Sequence, residues 1–197
     1  MTEFQLEDSM RKLVLYMFTT ADGFIAGPQG EFDSYEPSEP EHQMANDLFR
    51  GADAFMFGRV CYEGFVEYWD SVDHASAATP RIEAEFAAAF QEKPLIVVSR
   101  TLRQTVTRAT LIADSVTAHV TELKRQGEGY ILLVCGPELL GTLMADGLVD
   151  EFRLLTKPKI QGCGLALFRD VPRPQSLSLV GTREFPSGTV LHHYAKA

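Results

Sequence analysis

Short apolar runs separated by polar turns dominate the chain, and the first of them sets the pattern. Residues 12–19 are apolar at nearly every position and reach strand length, which is typical of a strand buried on both faces of a sheet. An Asp-Gly turn follows at positions 22 and 23, and the chain leaves it through a short apolar segment at 24–26. We expect the later elements to be organised around the far end of this strand.

Further apolar runs alternate with segments whose apolar residues recur three or four positions apart, as in amphipathic helices. The pattern predicts strands at 53–57, 95–99, 111–113, 130–135, 151–158 and 165–168, and a hairpin formed by 176–184 and 190–195. It predicts helices at 41–50, from 59 onward, at 80–90, from the cap at 114–115 to 126, and at 138–145. The acidic stretch 32–41 contains two prolines, and we expect it to be an exposed loop.

Strands alternate with helices as far as residue 158, and the pattern after it contains strands only. This alternation predicts a three-layer α/β sandwich with a mixed, mostly parallel sheet and an antiparallel C-terminal hairpin. The length of 197 residues fits one domain. We therefore assign residues 11–197 to a single domain and residues 1–10 to a flexible N-terminal leader.

Charge and cysteine content narrow the classes of function. A net charge of −9 and a pI of about 5.0 argue against a nucleic-acid partner, which needs clustered basic residues. No apolar run reaches membrane-spanning length, and the N-terminus lacks the apolar region of a signal peptide, so no membrane partner is expected. Cys61, Cys135 and Cys163 lack metal-site spacing, which indicates a cytoplasmic protein without structural zinc. His192 and His193 are adjacent on a strand and cannot share a metal.

Ligands of open α/β sheets bind outside the carboxyl ends of the strands, and three predicted strand ends carry suitable residues. Gly58 and Arg59 open one strand-to-helix turn, Gly136 opens another, and Ser99 and Arg100 follow a third strand. Helix N-termini favour phosphate, so two helix starts and two arginines in an acidic protein suggest a dinucleotide. Taken alone, a glycine after a strand is more often ordinary turn chemistry, and an arginine at a helix start is usually a solvated charge. The Gly-x-Gly-x-x-Gly fingerprint is absent.

The order and spacing of these motifs resemble the reductase-type domain of bacterial riboflavin biosynthesis proteins, which shares the dihydrofolate reductase fold. The segments that carry the resemblance are 19–26, Gly58-Arg59 with Tyr62-Glu63, 97–100, Gly136, 147–152, 158–168 and 187–191. Together they span residues 11–196. The His-x-Glu and Pro-Cys-x-x-Cys motifs of the accompanying zinc deaminase are absent, so deaminase activity is not expected.

The resemblance implies an NADPH-dependent reductase that is a homodimer and acts on a small molecule. By it, Arg59 and the helix start at Gly58 take the pyrophosphate from one side, and residues 136–140 take it from the other. Ser99 and Arg100 take the adenosine 2′-phosphate. The implied cofactor-binding residues are Ile25 and Ala26 at the nicotinamide, with Gly58, Arg59, Cys61, Ser99, Arg100, Gly136, Pro137, Glu138, Leu139 and Leu140.

Asp22 and Glu151 are the candidate catalytic residues. The family counterpart of Asp22 lies near the substrate, and we expect Glu151 to point into the same cleft, with Asp22 or a water that it orients supplying a proton. Equally, Asp22 is explained as a turn residue that bonds its own backbone, and Glu151 as a residue that flanks an edge. The expected substrate is a heterocyclic or ribosylated carbonyl or imine, similar to 5-amino-6-(5-phosphoribosylamino)uracil.

Two cysteines depart from the family pattern at the phosphate loops. Cys61 stands where the family usually has threonine, and Cys135 precedes Gly136 where it usually has a second glycine. A thiol is a weak hydrogen-bond donor, which leaves open a nucleotide-binding or sensor module without turnover. A dimeric scaffold with an empty cleft is a third hypothesis. The two thiols could also form a reversible disulfide that blocks the site, or be inert and buried.

Overall fold

The computed structural model describes residues 10–32 and 37–197. Within these ranges the strands are β1 (Lys12–Thr20), β2 (Phe24–Ala26), β3 (Ala54–Gly58), β4 (Leu95–Val98), β5 (Ala109–Ile112), β6 (Tyr130–Val134), β7 (Glu151–Lys157), β8 (Leu165–Ala166), β9 (Leu177–Glu184) and β10 (Val190–Lys196). The helices are α1 (Glu39–Gly51), α2 (Arg59–Trp69), α3 (Arg81–Glu92), α4 (Val116–Arg125) and α5 (Pro137–Ala145). None of these described helices is long and apolar enough to cross a bilayer.

Eight strands form one sheet in the order β5-β4-β3-β6-β1-β7-β10-β9. The pairs from β5 through β7 are parallel, whereas β10 is antiparallel to both β7 and β9. The predicted α/β fold with a mostly parallel sheet and an antiparallel C-terminal hairpin is therefore confirmed. The strands β2 and β8 form a separate antiparallel pair beside the main sheet.

The strand β1 is central because its side chains are apolar on both faces. Leu13, Val14, Leu15 and Tyr16 are all at most 3% exposed. Parallel pairing with β6 on one side and β7 on the other leaves no edge of β1 open. The carboxyl end of β1 is consequently fixed at the middle of the sheet.

An aromatic cluster joins the helices to one face of the sheet. Phe49 of α1 is fully buried, with its ring centroid 4.5 Å from that of Phe86 of α3 and 4.9 Å from that of Phe55 of β3. Phe65 of α2 stacks on Phe49 at 6.1 Å, and Phe90 stacks on Phe55 at 5.8 Å. These rings hold α1, α2 and α3 against the strands whose carboxyl ends carry the predicted ligand motifs.

The expectation of an exposed loop at 32–41 is wrong at its C-terminal end. Helix α1 begins at Glu39, and Glu41 is only 2% exposed. Pro40 lies in the first turn, where its missing N–H removes no helical hydrogen bond, and the Glu41 carboxylate accepts the Ser38 N–H at 2.6 Å. Residues 33–36 and the predicted leader at 1–9 lie outside the described residues.

The predicted strand at 165–168 is shorter than expected. Only Leu165–Ala166 is extended, and it pairs with Phe24–Ala26 rather than with the main sheet. Three residues are too few to show a period of two, so the sequence pattern did not reveal that the apolar segment after the Asp-Gly turn is a strand.

Candidate active site

The predicted ligand motifs meet at one edge of the sheet. The strands β4, β3, β6 and β1 are consecutive neighbours and parallel, so their carboxyl ends lie side by side. A Cβ built on Gly58, the last residue of β3, would lie 3.7 Å from the Cβ of Cys135, which follows β6, and 3.8 Å from the Leu139 Cδ2 in α5. The two strand-to-helix turns are therefore in direct contact.

Two helix N-termini open at this edge. Gly58 is the N-cap of α2, and Gly136 is the N-cap of α5. The first N–H groups of a helix lack partners within the helix, and they carry a partial positive charge. Both turns therefore offer hydrogen-bond donors suited to an anion.

Neither the backbone conformation nor the packing at position 136 requires a glycine. Its φ of −78° and ψ of 176° are accessible to any residue. A Cβ added there would meet nothing within 4 Å. The open space in front of the backbone would let a ligand approach the first turn of α5 closely, which fits a phosphate-bearing cofactor.

The first turn of α5 presents backbone more than side chains. Pro137 and Leu140 are buried, and the Leu140 N–H donates to the Gly136 carbonyl at 3.2 Å. Leu140 therefore supports the turn from inside the core, and its part in binding the pyrophosphate stays a prediction. Glu138 is exposed at the same turn, where its carboxylate opposes the approach of a negative phosphate.

Arg59 and Cys61 occupy the first turn of α2. The Arg59 guanidinium donates to Glu63 at 2.8 Å while the side chain remains 45% exposed, so it is accessible at the edge. Burial raises the pKa of the Cys61 thiol to about 11. The Cys61 thiol is thus protonated at neutral pH, and it is a weaker hydrogen-bond donor than the Arg59 guanidinium.

Ser99 and Arg100 form the turn that follows β4. The Ser99 hydroxyl oxygen accepts the N–H groups of Thr101 at 3.2 Å and Leu102 at 3.0 Å, which fixes the turn. Arg100 is exposed beyond it. The Arg100 guanidinium therefore lies at the same edge of the sheet as Arg59. The strand that precedes it, β4, is two positions from β6 in the sheet.

A cleft lies beside β2, at the carboxyl end of β1. Its lining includes Ile25 and Ala26, which were predicted at the nicotinamide, together with Thr20 of β1 and Lys157 of β7. The Thr20 hydroxyl oxygen accepts the Phe24 N–H at 3.0 Å and so fixes where β2 begins. Sequence reasoning missed Lys157, because only the register that places it opposite Thr20 brings it to this cleft.

Asp22 ties the Asp-Gly turn to a distant loop. Its carboxylate accepts the Thr20 hydroxyl at 2.6 Å, the Gln161 N–H at 3.0 and 3.1 Å, and the Gly162 N–H at 2.7 Å. These hydrogen bonds, that of Thr20 foremost, lower the pKa of Asp22 to about 2. A carboxylate ionised at neutral pH is a poor proton donor, so the geometry supports the turn-forming role rather than the acid role.

Substituting Asp22 by asparagine is expected to lower the melting temperature at neutral pH, because an amide cannot accept all of these donors. Because the pKa of Asp22 is lower in the folded state, its carboxylate stabilises the fold at pH values above the unfolded-state pKa of about 3.9. This stabilisation is lost as the pH falls from there through about 2, the folded-state pKa. Melting temperatures measured between these limits should fall more steeply for the wild type than for Asp22→Asn. Asp114→Asn, at an exposed carboxylate, is the control, and equal slopes for all three proteins would contradict the assignment.

Glu151 lies at the opposite edge of the sheet, so the expectation that it shares a cleft with Asp22 is wrong. It is the first residue of β7, whereas Asp22 follows the last residue of the parallel strand β1. Its carboxylate contacts Lys12 at 2.9 Å, Arg153 at 3.2 Å and His193 at 2.8 Å. Burial alone would raise the pKa of Glu151, but these partners outweigh it and lower the pKa.

Cys61 and Cys135, in the two strand-to-helix turns, are free thiols in the structure. Burial raises the pKa of Cys135 well above its usual range, and the nearby Cys61 adds to the effect. Oxidation proceeds through the thiolate, which both sites disfavour. The structure therefore favours two inert thiols over the reversible disulfide.

Comparison with known proteins identifies the family. Residues 11–191 match the sequence profile of the RibD C-terminal domain. The chain belongs to this family. YyaP of Bacillus subtilis, an uncharacterised protein, is 33% identical over 180 residues that cover 91% of this chain and 92% of YyaP. YwjB of the same organism, also uncharacterised, is 27% identical and covers 93% of this chain and 97% of YwjB.

Solved structures share the fold of this RibD C-terminal domain at low sequence identity. A deaminase/5-amino-6-(5-phosphoribosylamino)uracil reductase from Thermotoga maritima superposes with a TM-score of 0.63 at 16% identity, covering 95% of this chain and 57% of that protein. Dihydrofolate reductase from Enterococcus faecalis, in complex with NADP(H), has a TM-score of 0.63 at 11% identity, covering 95% and 98%. The expected dihydrofolate reductase-like fold is thereby confirmed.

Proposed function

We propose that this RibD C-terminal domain protein is an NADPH-dependent reductase of a small heterocyclic or ribosylated substrate. One observation carries the proposal: two helix N-termini and two arginines converge on the carboxyl edge of four neighbouring parallel strands. This arrangement suits a ligand with several phosphates. The Thermotoga relative of the same fold is a 5-amino-6-(5-phosphoribosylamino)uracil reductase, which supports that substrate class.

Different residues bind different parts of NADPH. Arg59 and the N–H groups at the starts of α2 and α5 bind the pyrophosphate, and Ser99 and Arg100 bind the 2′-phosphate. Ile25 and Ala26 form the wall against which the nicotinamide lies. NADPH supplies the hydride when bound, and the protein positions it and excludes water.

A nucleotide-binding module without turnover is the alternative. It is favoured by the state of the two predicted catalytic carboxylates, since Asp22 is held by three donors and Glu151 lies at the far edge. Mixing the protein and NADPH with 5-amino-6-(5-phosphoribosylamino)uracil, and following the loss of NADPH absorbance, distinguishes the two functions. Steady oxidation of NADPH supports the reductase. Binding of NADPH without its oxidation, in the presence of this and related pyrimidines, supports the module.

Gly136→Ala is expected to weaken NADPH binding about tenfold while leaving folding nearly unchanged. The added methyl group enters the open space where the pyrophosphate approaches, and it meets no protein atom within 4 Å. NADPH fluorescence titration measures the affinity. Gly64→Ala in α2, where a Cβ also meets nothing, is the matched control. Equal affinity of both variants would exclude close backbone approach at Gly136.

We also propose that the protein is a cytoplasmic homodimer. The edge strand β9 supports dimer formation, because its outer backbone groups have no strand partner in the described chain and Leu179 and Val180 are 60% and 57% exposed. Pairing of two such edges would satisfy these backbone groups.

A further inference from the structure

A cavity lies at the amino ends of the strands β1, β6 and β7, on the side of the sheet opposite the proposed cofactor edge. Its volume is about 560 Å³, which is within the usual range of small-molecule sites. Its walls include Lys12, Tyr130 and Glu151, the first residues of those three strands. The nine residues of β1 rise about 3.3 Å each, so this cavity and the carboxyl edge lie about 26 Å apart along the strand. None of its described lining residues belongs to the proposed cofactor site.

The sheet side of the cavity carries a surplus of positive charge. The Glu151 carboxylate is ionised at neutral pH, since its contacts with basic side chains outweigh the effect of burial and lower its pKa. This one carboxylate contacts two permanent cations, Lys12 at 2.9 Å and Arg153 at 3.2 Å. The Arg153 guanidinium reaches Glu151 through a single long hydrogen bond, and its buried Nε has no hydrogen-bond partner among the described residues. Glu151 therefore does not satisfy Arg153 completely.

A second carboxylate, Glu128, lines the cavity in the loop before β6, where it is exposed. Water and salt screen an exposed charge more strongly than a partly buried one. Glu128 therefore offsets the charge of the partly buried Arg153 only weakly.

The remaining wall of the cavity is apolar. Val14 of β1 and Leu48 of α1 line it beside the ring of Tyr130. Burial raises the pKa of Tyr130 to about 12, so its hydroxyl is neutral at physiological pH, and it donates a hydrogen bond to the Leu48 carbonyl. This hydrogen bond fixes the ring, which offers an uncharged aromatic surface to a ligand.

We propose that this cavity is a second ligand site, which binds a small carboxylate with an aromatic or branched aliphatic body. The planar guanidinium of Arg153 matches the geometry of a carboxylate, and the charge of Lys12 adds to the attraction. The body of the ligand covers Leu48 and the ring of Tyr130, which removes apolar surface from water. A ligand with several phosphates is disfavoured, because Glu151 lies beside the two cations.

Benzoate and benzamide have nearly the same shape and differ in charge, so ligand-observed NMR titration of the full chain with both compounds tests the proposal. Benzoate is expected to bind saturably, and benzamide about tenfold or more weakly. Arg153→Met, which removes the charge, should weaken benzoate binding about tenfold or more. Arg153→Lys should bind benzoate more tightly than Arg153→Met does. Arg173→Met, at an exposed arginine that does not line the cavity, should match the wild type.

A second variant tests the cavity without altering its charges. Leu48→Trp places a larger side chain in the cavity and should abolish benzoate binding. Thermal melts confirm that each variant is folded, and Arg153→Gln replaces Arg153→Met if that variant fails to fold.

Three results would overturn the inference: no saturable benzoate binding to the wild type, equal benzoate affinity in Arg153→Met and Arg173→Met, or displacement of benzoate by NADPH. The last result would place benzoate at the carboxyl edge of the sheet instead. The proposed reductase function fails separately, through absence of NADPH binding. The benzoate titration still tests the cavity in that event, because it needs no cofactor.

Discussion

Replacing Arg59 by alanine is expected to weaken NADPH binding about tenfold or more without disturbing the fold. The guanidinium is 45% exposed at the edge where two helix N-termini meet, and charge-assisted contacts to phosphate are among the stronger hydrogen bonds. Its present partner, Glu63, forms an exposed i,i+4 pair of small energetic value. Loss of that pair alone would therefore leave the melting temperature nearly unchanged. Fluorescence titration of NADPH measures the affinity.

Arg81 provides a matched control for this substitution. It is the first residue of α3, as Arg59 is of α2, and it donates to Glu85 at the same 2.8 Å and the same i,i+4 spacing. Helix α3 does not begin at the end of a sheet strand, so Arg81→Ala should leave NADPH affinity unchanged. If Arg59→Ala and Arg81→Ala bind NADPH equally well, the assigned pyrophosphate site is wrong.

Phe49→Ala is expected to lower the free energy of unfolding by about 3–5 kcal/mol. The ring is fully buried and contacts Tyr16, Phe55, Phe65 and Phe86, whose ring centroids lie 4.5 to 6.1 Å away. Its removal leaves a cavity between α1 and the sheet that rigid neighbours fill only in part. Urea denaturation followed by circular dichroism gives the free energy.

Phe168→Ala is the control for the core substitution, because the Phe168 side chain is 39% exposed. It removes the same atoms from a site that water already reaches, and the expected loss of stability is much smaller. Equal losses for the two variants would show that the aromatic cluster is not the main contact between α1 and the sheet.

The sequence pattern predicted the strands of the main sheet because each contains an apolar run bounded by polar or turn-forming residues. Residues 12–19 were apolar on both faces, and the structure places them at the centre of the sheet. The glycines at 58 and 136 marked real strand-to-helix turns. The α/β alternation places these turns at the same end of the sheet, the family resemblance implied that they meet, and the pairing of β3 with β6 brings them together.

Features that depend on distant partners were not visible in the sequence. The sequence pattern predicted that Glu151 begins a strand, but only the parallel pairing of β7 with β1 shows that it lies at the edge opposite Asp22. The burial of Glu41 requires the C-terminal hairpin, whose Ser187 donates to it. Asp22 was ambiguous because its decisive partners, the N–H groups of Gln161 and Gly162, are almost 140 positions away.

Calorimetric titration of the wild-type protein with NADPH and NADH tests the central claim most directly. The proposed site predicts saturable binding of one NADPH per chain. It also predicts about tenfold weaker binding of NADH, which lacks the 2′-phosphate assigned to Ser99 and Arg100. Absence of saturable NADPH binding would contradict the assignment of the carboxyl edge of the sheet as a cofactor site.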